Sequence, residues 1–197
     1  MAKRAFDLLA GGVLLLIVAP VMGAVALALK LEGRVPVWRR TPRVGRGGAT
    51  FHMLSFSTMV DAAHAAPGAT PESRETAVGR IVRNYSLDHL PMLWHVARGD
   101  MSLIGPRPME PELVDLSDPA WQHILSVRPG AASYAILRLA RTYNRSAMAE
   151  RQRLELEYVD RRSLRFDLAL CGEVMRAKIA SRGNIKARGE PAIGRTR

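Results

Sequence analysis

Two titratable side chains, Asp88 and His89, stand next to each other in the sequence. A carboxylate beside an imidazole can hold or exchange a proton near neutral pH. Arg83 precedes the pair and Arg107 follows it, the latter between two prolines that restrict its backbone and suit a fixed contact with a phosphate. The group predicts chemistry on an anionic ligand. As an alternative, Asp88 is only a first-turn helix carboxylate favoured by the macrodipole, and His89 is a solvated side chain.

The spacing of the cysteine and histidine residues does not indicate a metal site. Cys171 is the single cysteine, which excludes an intrachain disulfide and a thiolate metal cluster. His89 and His95 have a poor helical spacing for binding one metal ion. No metal ligand is assigned from spacing alone; Asp88 is a possible one, and Asp100 either binds a metal ion or orders its loop.

The net charge limits the classes of partner. The chain of 197 residues has 29 Lys and Arg against 18 Asp and Glu, a formal net charge of +11. Such a surface binds anions, meaning phosphate groups, acidic lipid headgroups or nucleic acid. We do not expect nucleic acid as a partner, because the chain lacks an aromatic and basic recognition motif.

An uncharged apolar segment extends from Leu8 to Leu29. As a helix it would be about 33 Å long, close to the hydrocarbon thickness of a bilayer. Basic residues flank both ends and Pro20 interrupts the segment, which favours a kinked, re-entrant helix that enters and leaves the membrane on one face. A simple transmembrane anchor, a cleaved signal peptide and a buried helix of a soluble protein are the alternatives. We expect the segment to associate with a membrane.

The remaining segments are expected to be mostly helical with a few short strands, an α+β fold class. Helices are predicted over 73–84, 88–97, 146–160 and 163–179, and strands near 37–38 and over 51–59. Ser86 is the expected N-cap of the helix that begins at Asp88. An apolar stripe on the last helix is expected to face the core: Leu164, Leu168, Cys171 and Met175.

Three regions divide the chain by composition. Residues 1–34 form the membrane helix, residues 35–180 a small cytoplasmic domain, and residues 181–197 a basic tail. Within the domain, residues 62–71 are rich in small residues and are expected to form a mobile loop.

Two blocks of sequence resemble a known family. Residues 86–94 read SLDHLPMLW and residues 99–108 read GDMSLIGPRP. They resemble the signature of the bacterial sugar transferases, monotopic phosphoglycosyl transferases that start glycoconjugate assembly on a polyprenol phosphate. The similarity extends along nearly the whole chain, from KRAFD at 3–7 before the proline-broken helix to EYV at 157–159.

The resemblance implies a function and a site. It implies transfer of a sugar phosphate from a UDP-sugar to undecaprenyl phosphate in exopolysaccharide assembly, with Mg²⁺, by a cytoplasmic domain at the bacterial inner membrane. Asp88 would be the nucleophile that forms an aspartyl-phosphosugar intermediate. The basic positions that would bind substrate phosphates are Arg83, Arg107, Arg40 and Arg43.

Several residues depart from the family's pattern. His89 stands where the family has a glutamate that helps to hold the metal; imidazole is a poor Mg²⁺ ligand, although it could act as a substitute acid–base group. Ser55 and Ser57 replace cations. Ser133 replaces a glycine, which suggests a changed backbone if the position needs positive φ. These changes favour an alternative: an inactive membrane subunit or scaffold with membrane protein partners.

Overall fold

The fold is mostly helical with short strands, as predicted, over the residues that the computed structural model describes (2–61, 70 and 73–183). The helices are α1 (Ala2–Glu32), α2 (Ala77–Asn84), α3 (Met92–Arg98), α4 (Pro119–Ile124), α5 (Tyr134–Leu139), α6 (Met148–Arg161) and α7 (Leu164–Gly183). The strands are β1 (Trp38–Val44), β2 (Thr50–Phe56), β3 (Ser102–Ile104) and β4 (Gly130–Ala132). The predicted loop at 62–71 and the tail beyond Gly183 lie almost entirely outside the described residues, and the division into three regions stays a prediction.

The strands form two small sheets. β1 and β2 make an antiparallel hairpin in which Trp38 pairs with Phe56 at one end and Val44 with Thr50 at the other. β3 and β4 are parallel neighbours. Just beyond β3, a Cβ on Gly130 would lie 2.0 Å from the backbone nitrogen of Gly105, so this approach of the two chains requires glycine.

α1 contacts the rest of the protein near both of its ends. Phe6 and Ala10 near its start pack into the cluster around α3, whereas Val25 and Leu29 near its end pack against β2 and α2. Only 11% of its most apolar 18-residue window is buried, so α1 is not a core helix. By length and composition it could cross a membrane. The helix continues through Pro20, and the predicted re-entrant course stays a prediction.

A buried polar network attaches the start of α1 to β3 and α7. Asp7 is buried and accepts a hydrogen bond from the Ser102 hydroxyl at 2.7 Å. Lys3 forms an ion pair with Asp167 and donates to the Ile104 carbonyl at 3.2 Å. Because both carboxylates are buried, the lysine between them is needed to compensate their charge.

The start of α2 is fixed from two sides. The Thr76 hydroxyl accepts from the Gly79 N–H at 2.9 Å, which caps the helix. Glu32, the last residue of α1, accepts from the Ala77 N–H at 2.8 Å. These contacts begin α2 four residues later than predicted and join it to the end of α1.

α3 also begins later than predicted. The sequence placed a helix start at Asp88 with Ser86 as N-cap, but the helix begins at Met92 and Ser86 has a φ of 54°. This left-handed conformation turns the chain, so that Ser86 is not the N-cap. Pro91, which has no N–H to satisfy, directly precedes the helix. Asp88 and His89 therefore lie in the turn before α3, not in its first turn.

The buried face of α7 differs from the predicted stripe. Leu168 and Met175 are exposed, whereas Asp167 and Leu170 are buried. The ion pair of Asp167 with Lys3 turns this face toward the core, because leaving a buried carboxylate without its cation costs more than exposing two apolar side chains. The predicted stripe was wrong in this respect.

Candidate functional site

Backbone hydrogen bonds hold Asp88 in place between α2 and α3. Its carbonyl accepts from the Phe56 N–H at 3.1 Å, which ties the turn to the end of β2. The preceding Leu87 N–H donates to the Val82 carbonyl of α2 at 2.8 Å. The Asp88 side chain is 19% exposed. The position of its carboxylate is therefore set by the backbone, and the carboxylate itself remains accessible.

Asp88 and His89 are neighbours in space as well as in sequence. Oδ2 of Asp88 lies 3.4 Å from Nε2 of His89, whose side chain is 57% exposed. A protonated imidazole at this distance stabilises the carboxylate, and a neutral one can pass a proton to or from a ligand. The arrangement supports acid–base chemistry next to the Asp88 carboxylate.

A metal ion would find few protein ligands here. Mg²⁺ prefers several oxygen ligands in octahedral geometry, and the pair offers one carboxylate and one imidazole. Across residues 2–61, 70 and 73–183 no group of three His, Cys, Asp or Glu side chains is placed to hold a metal ion. The residues present do not fit a resident Mg²⁺ site, so an ion would have to arrive with the phosphates of a substrate.

Two of the predicted phosphate-binding arginines, Arg83 and Arg40, lie on α2 and β1. Arg83 of α2 lies 3.4 Å from the Glu75 carboxylate and 3.1 Å from the Met59 sulfur. Arg40 lies in the middle of β1 and is exposed. Neither forms an ion pair with Asp88 among the described residues. Their role as phosphate ligands stays a prediction.

The other two predicted arginines lie toward the far end of the hairpin. Arg43 forms an ion pair of 3.0 Å with Glu110. The next residue, Val44, donates to the Met109 carbonyl at 2.9 Å, which places the segment after Arg107 at this end. A strand of this length measures about 20 Å, and Asp88 is attached at the opposite end. The four predicted arginines thus do not form one group beside Asp88. The role of Arg43 and Arg107 as phosphate ligands stays a prediction.

A buried carboxylate that the sequence analysis missed lies beside Arg107. Glu155 is 4% exposed and accepts from the Ser133 hydroxyl at 2.6 Å and from the Arg107 N–H at 3.1 Å. Burial raises its pKa to about 7. The guanidinium groups of Arg107 and Arg151 both lie over the ring of Tyr143, at 5.1 and 4.7 Å. The available signal was an acidic residue within the apolar face of α6.

Ser133 does not need the backbone of a glycine. Its φ of −115° and ψ of 141° are extended values that any residue adopts. Its hydroxyl accepts from the Ile136 N–H at the start of α5 and donates to Glu155. In this chain the position has a negative φ, and the serine makes a hydrogen bond that glycine could not make.

Ser55 and Ser57 face the interior. They are 9% and 4% exposed, and the Ser57 N–H donates to the Val37 carbonyl at 3.1 Å. A cation at either position would have to leave the protein interior or find a partner there. The departures from the family at Ser55 and Ser57 therefore lie in the interior of this protein.

Glu155→Gln is expected to remove a pH-dependent loss of stability. Because the folded pKa is raised from 4.5 to about 7, the folded protein binds a proton that the unfolded chain releases. The stabilising contribution is full below about pH 4.5 and is lost as pH rises to about 7, by roughly 3 kcal/mol. Thermal unfolding in detergent should give the variant a melting temperature several degrees above the parent at pH 8 but not at pH 4. Exposed Glu150→Gln, in the same helix, is the control; an equal shift at both pH values would contradict the prediction.

Comparison with known proteins gives the family. Residues 1–180 match the family model for bacterial sugar transferases. The chain is 36% identical over 196 residues to the undecaprenyl-phosphate glucose phosphotransferase of Komagataeibacter xylinus, covering 92% of this chain and 36% of that protein. It is 36% identical over 178 residues to the UDP-glucose:undecaprenyl-phosphate glucose-1-phosphate transferase of Caulobacter vibrioides, covering 86% and 67%. It is 32% identical over 202 residues to the exopolysaccharide production protein ExoY of Rhizobium meliloti, covering 93% and 88%.

The extent of these matches differs between the relatives. The chain spans only about a third of the Komagataeibacter protein, about two thirds of the Caulobacter protein and most of ExoY. The matched residues 1–180 include α1, the turn at Asp88 and the helices α5 and α6. By this match along most of its length, the chain belongs to the bacterial sugar transferase family.

Proposed function

We propose that this protein transfers a sugar phosphate from a UDP-sugar to undecaprenyl phosphate, through a phosphosugar carried on Asp88. The observation that carries the proposal is the accessible Asp88 carboxylate, held by backbone hydrogen bonds at the end of β2. The names of the relatives agree with the reaction class. The Komagataeibacter and Caulobacter proteins are named for glucose phosphate transfer to undecaprenyl phosphate, and ExoY for exopolysaccharide production.

Asp88 would act in two displacements. A carboxylate oxygen attacks the phosphorus next to the sugar, and the bond from that phosphorus to the bridging oxygen breaks, so that UMP leaves. An oxygen of undecaprenyl phosphate then attacks the same phosphorus, the bond to Asp88 breaks, and the carboxylate is restored. A fixed backbone supports this role because an attacking atom must be held in line with the leaving group.

The charged side chains around Asp88 would assist both displacements. Each displacement concentrates negative charge, which arginines would offset. Arg83 lies on α2, which bonds to Leu87, and Arg40 lies on β1, the strand paired with β2. His89, 3.4 Å from Asp88, would offset part of the negative charge when protonated, although less effectively than a carboxylate that holds a metal ion. Mg²⁺ belongs to the proposal as an ion brought by the substrate's phosphates.

We further propose that α1 stays on one face of the bacterial inner membrane, with the domain in the cytoplasm. In a straight helix Lys3 and Glu32 are about 43 Å apart, so a spanning course would place them on opposite sides of the bilayer. Yet Lys3 bonds to Ile104 and Glu32 bonds to the start of α2, both in the same domain. Attachment at both ends supports a re-entrant or surface course. The basic flanks of the helix support the cytoplasmic side.

A second candidate function rests on His89. With imidazole in place of the family's glutamate and with the buried Ser55 and Ser57, the protein would keep the fold without turnover. It would then serve as a membrane subunit or scaffold. A stable complex in mild detergent, together with no turnover, would favour this alternative.

Asp88→Asn is expected to lower UMP release by about a thousandfold, because the amide cannot form the covalent intermediate. The assay uses membranes that contain the protein, undecaprenyl phosphate, Mg²⁺ and a panel of UDP-sugars. Asp160→Asn, an exposed aspartate paired with His123, is the matched control and should keep parental activity. Undiminished release from the Asp88 variant would remove Asp88 as nucleophile. No release by the folded parent with any sugar would favour the scaffold.

A further inference from the structure

A basic cleft lies at the end of α3 away from Asp88. Its volume is about 230 Å³, and its cationic lining residues are Lys3, Arg4, Arg46, Arg128 and Arg162. Arg128 donates to the carbonyl of Gly99, the residue that ends α3. Asp88 precedes the start of α3, so the length of the helix, about 10 Å, separates the two regions. The cleft is therefore distinct from the turn that carries Asp88.

Positive charge in the cleft exceeds the negative charge of its one lining carboxylate, Asp7. Lys3 is paired with Asp7 and Asp167. In the described part of the chain, no carboxylate forms an ion pair with any of the four arginines of the cleft. Burial, together with the neighbouring Arg4 and Arg46, lowers the pKa of Arg128. An anion in the cleft would relieve this mutual repulsion.

The arginines are held in a way that leaves donors for a ligand. Nε of Arg46 donates to the Ser126 carbonyl at 3.1 Å, and Nε of Arg128 donates to the Gly99 carbonyl at 3.0 Å. The backbone thus fixes each guanidinium by its inner nitrogen. Nη1 of Arg4 is buried and has no hydrogen-bond partner. An unsatisfied buried donor is costly, and a ligand with several acceptor oxygens would satisfy it.

We propose that this cleft is a second anion site that binds a phosphate group. The forked ends of arginines match phosphate oxygens in pairs, and several guanidinium groups around one cavity suit a tetrahedral anion. Arg4 lies in the first turn of α1, four residues before the apolar segment begins at Leu8, so the cleft would lie close to a membrane surface. The phosphate can therefore belong to a soluble compound or to the headgroup of an acidic phospholipid.

The first test measures thermal unfolding of the full chain in a neutral detergent, with inorganic phosphate or with chloride at equal ionic strength. The cleft variant carries Arg46→Gln and Arg128→Gln, and the control carries Arg153→Gln and Arg165→Gln, two exposed arginines outside the cleft. We expect phosphate to raise the melting temperature of parent and control with saturation. In the cleft variant the phosphate concentration at half-effect should rise at least tenfold.

Two further measurements distinguish a phosphate site from a structural role of these arginines and from binding at Asp88. A purely structural role of Arg46 and Arg128 would lower the melting temperature of the cleft variant by the same amount with and without phosphate, whereas loss of an anion site removes the stabilisation that phosphate adds. Asp88→Asn should keep the full phosphate response, so a failure at the Asp88 turn does not affect the result. No phosphate response in the parent, or an equal response in the cleft variant, would overturn the proposal. If the double variant does not fold, Arg46→Gln alone is used.

The second test identifies the source of the phosphate. The protein is placed in nanodiscs of phosphatidylcholine, with or without phosphatidylglycerol. If phosphatidylglycerol stabilises parent and control but not the cleft variant, and removes the effect of added phosphate, the headgroup is the ligand. If added phosphate remains fully effective in both lipid mixtures, the ligand is a soluble anion.

Discussion

Replacing His89 by glutamate is expected to raise UMP release by about a thousandfold. The variant would place two carboxylates side by side, since His89 Nε2 already lies 3.4 Å from Asp88 Oδ2. Two carboxylates, together with substrate phosphates, are the usual ligands of Mg²⁺ in proteins. The imidazole offers the ion no oxygen. UMP release with undecaprenyl phosphate, measured at several Mg²⁺ concentrations, tests the prediction.

The structure favours replacing His89 alone over a double variant that also places an arginine at Ser57, where the family has a cation. His89 is more than half exposed, so a glutamate there has room and water. Ser57 is buried, and an arginine there would disturb the contacts around Val37. His89→Gln, which is uncharged, is the control and should show no gain. Equal turnover of the parent and the glutamate variant would mean that His89 already performs the role.

Replacing Lys3 by methionine is expected to destabilise the protein by about 3–5 kcal/mol, because it leaves two buried carboxylates without their shared cation. Asp7 and Asp167 are 3% and 1% exposed. Lys3 lies 3.7 Å from Asp7 and pairs directly with Asp167. The hydroxyl of Tyr158, 2.8 Å from Asp167, cannot replace the lost charge. Unfolding by heat or by denaturant in detergent measures the loss.

The matched control is Lys30→Met near the other end of α1, an exposed lysine whose loss should change stability by less than about 0.5 kcal/mol. Combining Lys3→Met with Asp167→Asn should recover part of the stability, since one uncompensated charge is then removed. A loss no greater than that of the Lys30 variant would show that the buried network carries no net stabilisation.

Local patterns predicted the elements better than their orientations. The two C-terminal helices and the apolar N-terminal helix follow from composition and periodicity within each segment, whereas the hairpin was expected only as a short strand near 37–38 and an extended segment over 51–59. The inward face of α7 does not, because Asp167 is paired with a lysine 164 positions earlier in the chain. Periodicity treats a carboxylate as an outward-facing residue. Only the tertiary contact reverses that assignment.

In the candidate site too, local features could be predicted from the sequence, whereas features set by tertiary contacts could not. The adjacency of Asp88 and His89 could be predicted, since neighbouring residues in a short turn stay close. The turn itself could not, because it depends on the left-handed conformation of Ser86 and on the hydrogen bond to Phe56. Glu155 was missed because its partners, Ser133 and Arg107, come from distant segments of the chain.

The attachment of α1 at both ends restricts how the domain can meet a lipid substrate. With Lys3 bonded to Ile104 and Glu32 bonded to the start of α2, no slack linker separates the apolar helix from the turn at Asp88. With α1 on one face of a membrane, as proposed, the height of that turn above the acyl chains would be constant. A long-chain acceptor would then reach it only by lateral diffusion within the leaflet, so encounter rates would depend on membrane fluidity and on acceptor density per unit area.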